Sequence, residues 1–411
     1  MARILLSAYA CEPGRGSEPG VGWSWATELA SRGHQVTVIT RSDNRQPIER
    51  HQPSQAAINF LYYDLPRWAQ RWRRVPGGKT LYYLLWQYFA ARHLRRLFPA
   101  PPFDVVQHVT YVSVRYPSFM GSLGIPFWFG PVSGGEGVPP RLRSGFSARQ
   151  RWREHLRDIS NLLVPLDPLM HRTFRQADRI LVTRDTLRLI PPHWQNKAAV
   201  HLAIGLSDHD PAAAFHHPRS AASGPRLLYV GRLLEWKGLG IALDAASRIK
   251  ESHPEVRFTI IGDGPARNRL LMLSRKLGLE QNVRWLGCLP QRMLAEHYRT
   301  ADIFLYPSLR DSGGMVVLEA LAHGLPVICT DLGGPGIIVN TTCGRAVATT
   351  GRHPNQLADD ISSALLEIFT TPNRLESLSC GARARAREFE FQNLVRGVHP
   401  EPSPAQVARR A

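Results

Sequence analysis

Residues 307–329, PSLRDSGGMVVLEALAHGLPVIC, place one acid, Asp311, in a glycine-bearing turn and a second, Glu319, one to two turns into the short helix that follows. A turn of this kind leaves backbone N–H groups and a partial positive charge at the helix start, suited to an anion. Carboxylates accept hydrogen bonds from hydroxyls. Together they suit an anionic ligand that carries sugar, one acid meeting a sugar ring and the other a ribose. The same residues also fit Asp311 as a turn cap and Glu319 as a solvated helix residue.

A second candidate lies upstream in VGRLLEWKGLG, residues 230–240. Arg232 follows a strand directly, and Lys237 comes at the start of the next helix. A guanidinium fork and a mobile ammonium can together neutralise a diphosphate; taken alone the pair also fits plain surface charge. IIGDGPARNRL, residues 260–270, has the look of a phosphate loop but lacks both G-x-G-x-x-G and the Gly-Lys-Ser/Thr ending. It reads as a turn, with no role toward NAD or ATP. In the first half, CEPGRGSEPGVGWSW, residues 11–25, supplies Gly14, Gly16, Gly20 and Gly22 after the first strand. Glycines there let backbone approach a ligand, so Gly20 and Gly22 are candidates to enclose donor or acceptor and Glu18 to bind hydroxyls, against a lid that touches nothing. His108 ends another strand, and PVSGGEG, residues 131–137, is a candidate acceptor wall.

These groups need strands and helices to hold them. Apolar runs at 4–7, 36–40, 58–62, 105–108, 126–129 and 180–183 alternate with helical patterns at 23–31 and 81–97, and residues 141–176 read as mostly helical with an Arg cluster. After the polar, Pro-rich interval 207–225 the rhythm restarts. Strands are expected at 226–231, 256–262, 283–287, 301–306 and 326–330, with helices at 239–252, 267–277, 293–299 and 355–369. Strand and helix in alternation imply parallel sheets covered on both faces. The expected organisation is therefore a first Rossmann-like domain over 1–206, a linker at 207–225 and a second domain over 226–382. A final helix and tail over 383–411 would cap the second domain or cross to the first. The reaction site is expected in the cleft between the domains.

The chain has 411 residues, a formal charge of +18 and five scattered cysteines. The cysteines form no CxxC pair, which argues for a reducing cytosol and against structural zinc. MARILLSAYA leads into CEPGRGSEPG with no small-residue cleavage site, and reads as a buried strand. No apolar run is long enough to span a bilayer. Between Asp64 and Asp104 there is no acid, while eight Arg and Lys residues from Arg67 to Arg96 alternate with Trp and Tyr. That mixture suits an anionic membrane surface, or equally a solvated helix with its aromatics turned inward. Zinc-finger spacing, an RNA-recognition signature and a helix-turn-helix pattern are all missing, which argues against nucleic acid.

Taken together, YVGRLLEWKG, IIGDGP, FLYPSLRDSGGMVVLEALAHGLPVICTDLGG and the amino-terminal glycine loop resemble the large family 4 of retaining, nucleotide-sugar-dependent glycosyltransferases. The resemblance spans nearly the whole chain and implies an α/β GT-B fold, two facing Rossmann-like domains with the donor held mainly by the second. It also implies roles. Arg232 and Lys237 would bind the donor diphosphate and stabilise the departing nucleotide; Glu319 would hold ribose hydroxyls. Asp311 and the amides of Ser312, Gly313, Gly314 and Met315 would position the transferred sugar, His108 would contact that sugar, and Gly20 would lie by the phosphates. Asp311 stands where the family usually has Glu, which bears on donor sugar identity. The implied partners are a UDP- or GDP-type sugar and a glycan or lipid-linked acceptor at the cytosolic membrane face, with no resident cofactor and no metal. A nucleotide-sugar epimerase of the same architecture, or a noncatalytic glycan- or membrane-binding protein, is the alternative.

Overall fold

The computed structural model describes residues 1–15, 18–51, 58–111, 113–206 and 224–399. Two compact units emerge. One comprises Met1–Gly135, Ile159–Ile204 and the chain from Phe391; the other comprises Glu136–Asp158 and Gly205–Glu390. The interval expected as a linker falls almost wholly outside the described residues.

The first unit is built on seven parallel strands: β1 (Arg3–Ser7), β2 (Gln35–Thr40), β3 (Ile58–Tyr62), β4 (Val105–His108), β5 (Phe127–Val132), β6 (Arg179–Val182) and β7 (Ala198–Val200). Their order in the sheet is β3-β2-β1-β4-β5-β6-β7. Alternation along β1 sends Leu5 to one face and Ile4 and Leu6 to the other. On the first face Leu5 joins Tyr82, Tyr83 and Trp86 of the helix Gly78–Leu97 and Phe174 of the helix Pro168–Gln176. The opposite face packs on Trp25 of the helix Glu18–Ser31 and on Phe391 and Val395. Burying each large side chain of this kind contributes about 1.5–3 kcal/mol. Sheet order reverses between β1 and β4, which pair in register from Ile4 with Val105 to Ser7 with His108. At such a reversal the two following loops turn to opposite faces and leave a crevice at the strands' carboxyl ends.

The second unit repeats the plan with β8 (Arg226–Val230), β9 (Arg257–Ile261), β10 (Val283–Gly287), β11 (Ile303–Tyr306), β12 (Val327–Thr330) and β13 (Gly344–Val347), ordered β10-β9-β8-β11-β12-β13. Here the reversal lies between β8 and β11. The loop after β8 carries Arg232 and Lys237; the loop after β11 carries Asp311. Topology thus brings to one crevice two segments about seventy residues apart.

Several details differ from the expectation. The edge strands β7 and β13 have no matching apolar run, because a short edge strand buries little. The first helix starts at Glu18 and not near Trp23, so Gly20 and Gly22 sit in helix. The terminal helix is two helices, Arg374–Glu388 and Phe391–Val398. Between them the Phe389 carbonyl accepts from the Leu206 amide at 2.9 Å, and the second helix belongs to the first unit. Among the described residues no helix is long and apolar enough to cross a membrane.

Candidate active site

In the second unit, β8 ends at Val230 and the chain passes through Arg232 to a single 3-10 turn, Glu235–Lys237. Gly238 then takes a left-handed conformation at φ 73°, with Pro307 so close that a Cβ would strike its carbonyl. The Leu309 amide donates to the Trp236 carbonyl at 2.8 Å, tying this loop to the one after β11. Lys237 consequently points at Asp311. Its Nζ lies 2.7 Å from Asp311 Oδ2 and 2.6 Å from the Tyr306 hydroxyl, and that hydroxyl donates to the same Oδ2 at 2.8 Å. Asp311 Oδ1 accepts from the amides of Gly313 and Gly314, each at 3.1 Å. Gly314, at φ 79°, opens the helix Met315–Ala322.

Burial raises the Asp311 carboxyl, but Lys237, the Tyr306 hydroxyl and the Gly314 amide outweigh it and hold the group below the usual carboxylate range. Asp311 is therefore anionic at neutral pH. Burial, reinforced by Asp311 and Tyr229, lifts the Tyr306 phenol well above its ordinary value and keeps it a neutral donor. An ammonium has three N–H groups; Tyr306 and Asp311 take two, leaving one. Arg232, by contrast, is exposed and has no ion-pair partner among the described residues. The two cations are thus unequal: one is locked and mostly neutralised, the other open.

Glu319 sits farther along the same helix. Tyr298 donates to its Oε2 at 3.0 Å, and Gln291 to its Oε1 at 3.4 Å. Burial first and Glu319 second keep Tyr298 protonated far above its ordinary value.

The remaining expected residues lie in the first unit. His108 is buried at the end of β4, its Nε2 3.4 Å from the Tyr83 hydroxyl. Burial lowers its imidazole to about 4, with the Thr110 backbone opposing, so it is neutral at pH 7. A Cβ on Gly20 would strike the Arg15 carbonyl, and one on Gly22 the Ala10 carbonyl and the Thr110 methyl. Backbone packing therefore requires glycine at both positions, whatever they meet. Gly16 lies outside the described residues.

Residues 214–380 match the family described as glycosyl transferases group 1, and residues 16–190 the glycosyl transferase 4-like domain. The chain belongs to the group 1 glycosyltransferases. A D-inositol 3-phosphate glycosyltransferase of Acidothermus cellulolyticus is 27% identical over 393 residues, 91% of this chain and 82% of the relative. One from Thermobispora bispora is 32% identical over 225 residues, 52% of this chain and 51% of the relative. Against that relative the chain spans about half the length. Sucrose-phosphate synthase from Thermosynechococcus elongatus superposes with a TM-score of 0.61 at 17% identity, covering 100% of this chain and 99% of the other. HepE of Anabaena, solved in complex with UDP, gives 0.58 at 16% identity with full coverage of both. These likenesses show the fold, two parallel-sheet Rossmann-like units of the GT-B type.

In this glycosyltransferase, sequence reasoning overlooked the groups that brace the site. Tyr306 and Tyr298 look like ordinary core aromatics in the sequence. Arg310, next to Asp311, binds Glu154 through both carboxylate oxygens at 2.6 and 2.7 Å, and its guanidinium lies 4.3 Å from the Trp236 ring centroid. Glu154 is wholly buried. Ser147, in the same segment, donates to Glu235 through its amide and its hydroxyl, each at 2.6 Å. Glu136–Asp158 thus clamps Glu235, two residues before Lys237, and Arg310, immediately before Asp311. The acid-free basic segment is likewise split: Tyr82, Tyr83 and Trp86 are buried, while Trp68, Tyr88 and Phe89 are exposed. Among the described residues no cluster of three or more His, Cys, Asp or Glu is arranged to hold a metal.

Proposed function

We propose that the enzyme transfers a glycosyl group, with retention, from a nucleoside diphosphate sugar to a hydroxyl of a glycan or lipid-linked sugar at the cytosolic membrane face. The observation that carries this reading is that the loops after β8 and β11 meet, with Lys237 held on Asp311 just before the helix Met315–Ala322 and the exposed Arg232 in the same loop as Lys237. A diphosphate there would meet the Arg232 fork and the remaining N–H of Lys237. Because Asp311 and Tyr306 hold Lys237 in place before any ligand arrives, little reorganisation accompanies the growth of charge on the departing phosphate. Donors set in advance toward developing charge lower a barrier where equal ground-state binding would not.

Asp311 reads in this scheme as both the brace of Lys237 and, with the amides of Ser312 to Met315, a contact for the transferred sugar. Its oxygens already accept four hydrogen bonds, so a sugar hydroxyl would share or replace one. Glu319, which accepts from Tyr298, would take ribose hydroxyls. A neutral His108 suits a hydroxyl contact better than a charge contact, and Gly20 and Gly22 would border the donor. The two cations supply charge neutralisation without a metal.

A uridine diphosphate donor is the first to test, because HepE is solved with UDP. UDP-, GDP- and ADP-sugars are incubated with oligosaccharide and glycolipid acceptors and analysed by mass spectrometry. Product that forms only with acceptor and keeps the donor's anomeric configuration supports the reading. Donor isomerisation without acceptor would point to an epimerase instead.

A further inference from the structure

The first unit carries a surface that neither packing nor the donor site explains. Through the end of the helix Ala148–Leu163 and into Pro168–Gln176, the side chains of Leu162, Leu163, Leu166 and Leu169 are 72%, 56%, 75% and 45% exposed. Scattered exposed leucines are ordinary, but four within eight residues form a patch. Beside them opens a cavity of about 390 Å3 lined by Leu166, His171, Arg172, Arg175 and Trp194 among others. Arg172 and Arg175 are both exposed.

The neighbouring acid is engaged by its own helix. Asp167 accepts from the amides of Leu169 and Met170 at 2.8 and 3.3 Å and so caps its helix. On the other side, the Arg172 guanidinium stands 6.0 Å from the centre of the Phe119 ring, and Phe119 meets Tyr88 edge to face at 5.4 Å. Tyr88 belongs to the helix Gly78–Leu97, which contains no acid and exposes Arg92, Arg95 and Arg96. Two basic stretches far apart in sequence are therefore joined into one face, with leucines at one end, aromatics in the middle and arginines on both sides.

We propose that this face docks on an anionic lipid bilayer, the leucines entering the acyl boundary and the Arg172–Arg175 cavity receiving a lipid phosphate. The charge selects the occupant. A second copy of this chain would bring arginine against arginine, and a neutral protein surface would leave the cations unpaired. A bilayer with anionic headgroups pairs the cations in the same layer in which leucine and tyrosine leave water. The inference deepens the glycosyl-transfer reading by naming where a lipid-linked acceptor would be met. Because vesicle binding is measured without donor, its failure would leave that reading standing.

The test is co-sedimentation of the full chain with phosphatidylcholine vesicles, with and without about 30% phosphatidylglycerol, at about 0.1 and 0.5 M salt. Anionic vesicles should bind at least tenfold more tightly, and salt should weaken them. R172E together with R175E should remove the preference, each cation accounting for about fivefold. L162E with L166E should cut binding at least tenfold while thermal unfolding stays unchanged, since both side chains are exposed. Equal binding to neutral and anionic vesicles, wild-type binding by the leucine variant, or a dimer in gel filtration that the leucine variant dissociates would each overturn the proposal.

Discussion

Substituting Lys237 by Met keeps the unbranched stem of the side chain and removes its ammonium group, which isolates the contact with Asp311. Nζ and Oδ2 are 2.7 Å apart, with the side chains 16% and 17% exposed. Stripping one partner from a fully buried pair costs about 3–5 kcal/mol. Here Asp311 would retain the Tyr306 hydroxyl and two amides, so its charge is not orphaned and about 2 kcal/mol is expected. For a unit of this size that corresponds to a fall of about 4–8 °C in its unfolding transition. D311N should show a similar loss, and the double variant much less than the sum, with a coupling of about 1–3 kcal/mol. The pH dependence follows from the depressed carboxyl. Stability from the pair is full above the unfolded carboxylate value of about 3.9 and is lost as pH falls below it through the folded value. The cycle is read by thermal unfolding at pH 7 and at pH 4 and below, and donor turnover should fall about a hundredfold in K237M. Additive single losses, with coupling under about 0.5 kcal/mol, would refute the claim that Asp311 braces Lys237.

Two further outcomes are expected. E154Q removes the buried carboxylate from the half-buried Arg310 guanidinium; it should cost about 3 kcal/mol in unfolding and raise the donor KM more than it lowers kcat, and an unchanged KM would show that the clamp is purely structural. His108, lowered to about 4 by burial, is neutral when folded but gains a proton when unfolded. Its contribution is therefore full above about pH 6.5 and declines as pH drops toward 4, by about 3 kcal/mol at most, so H108Q should flatten the acid limb of a stability–pH curve. An unchanged limb would argue that His108 is hydrated.

Much of the fold was legible because strands buried on both faces must be apolar along their length. ADIFLY, RLLYVG and VRFTIIG declare themselves for that reason, whereas GRAV at β13 and the three-residue β7 lie at sheet edges and carry too little apolar side chain to stand out. The break between Glu388 and Phe391 was illegible because no Gly or Pro marks it; it depends on a backbone bond to Leu206. At the site, Arg232, Lys237, Asp311 and Glu319 could be nominated from residue type and position beside strand ends. Their partners could not.

By itself the sequence determined the alternation of strand and helix, the doubled Rossmann-like plan and the loops in which charge gathers, since local periodicity and composition encode these. Only the tertiary structure decided how those charges are used. Lys237 meets Asp311 across 74 positions and Arg310 meets Glu154 across 156, so these pairings exist because sheet order reverses between β8 and β11 and because Glu136–Asp158 packs with the second unit. The energy of an ion pair depends on separation and burial, and neither is a property of residues read one after another.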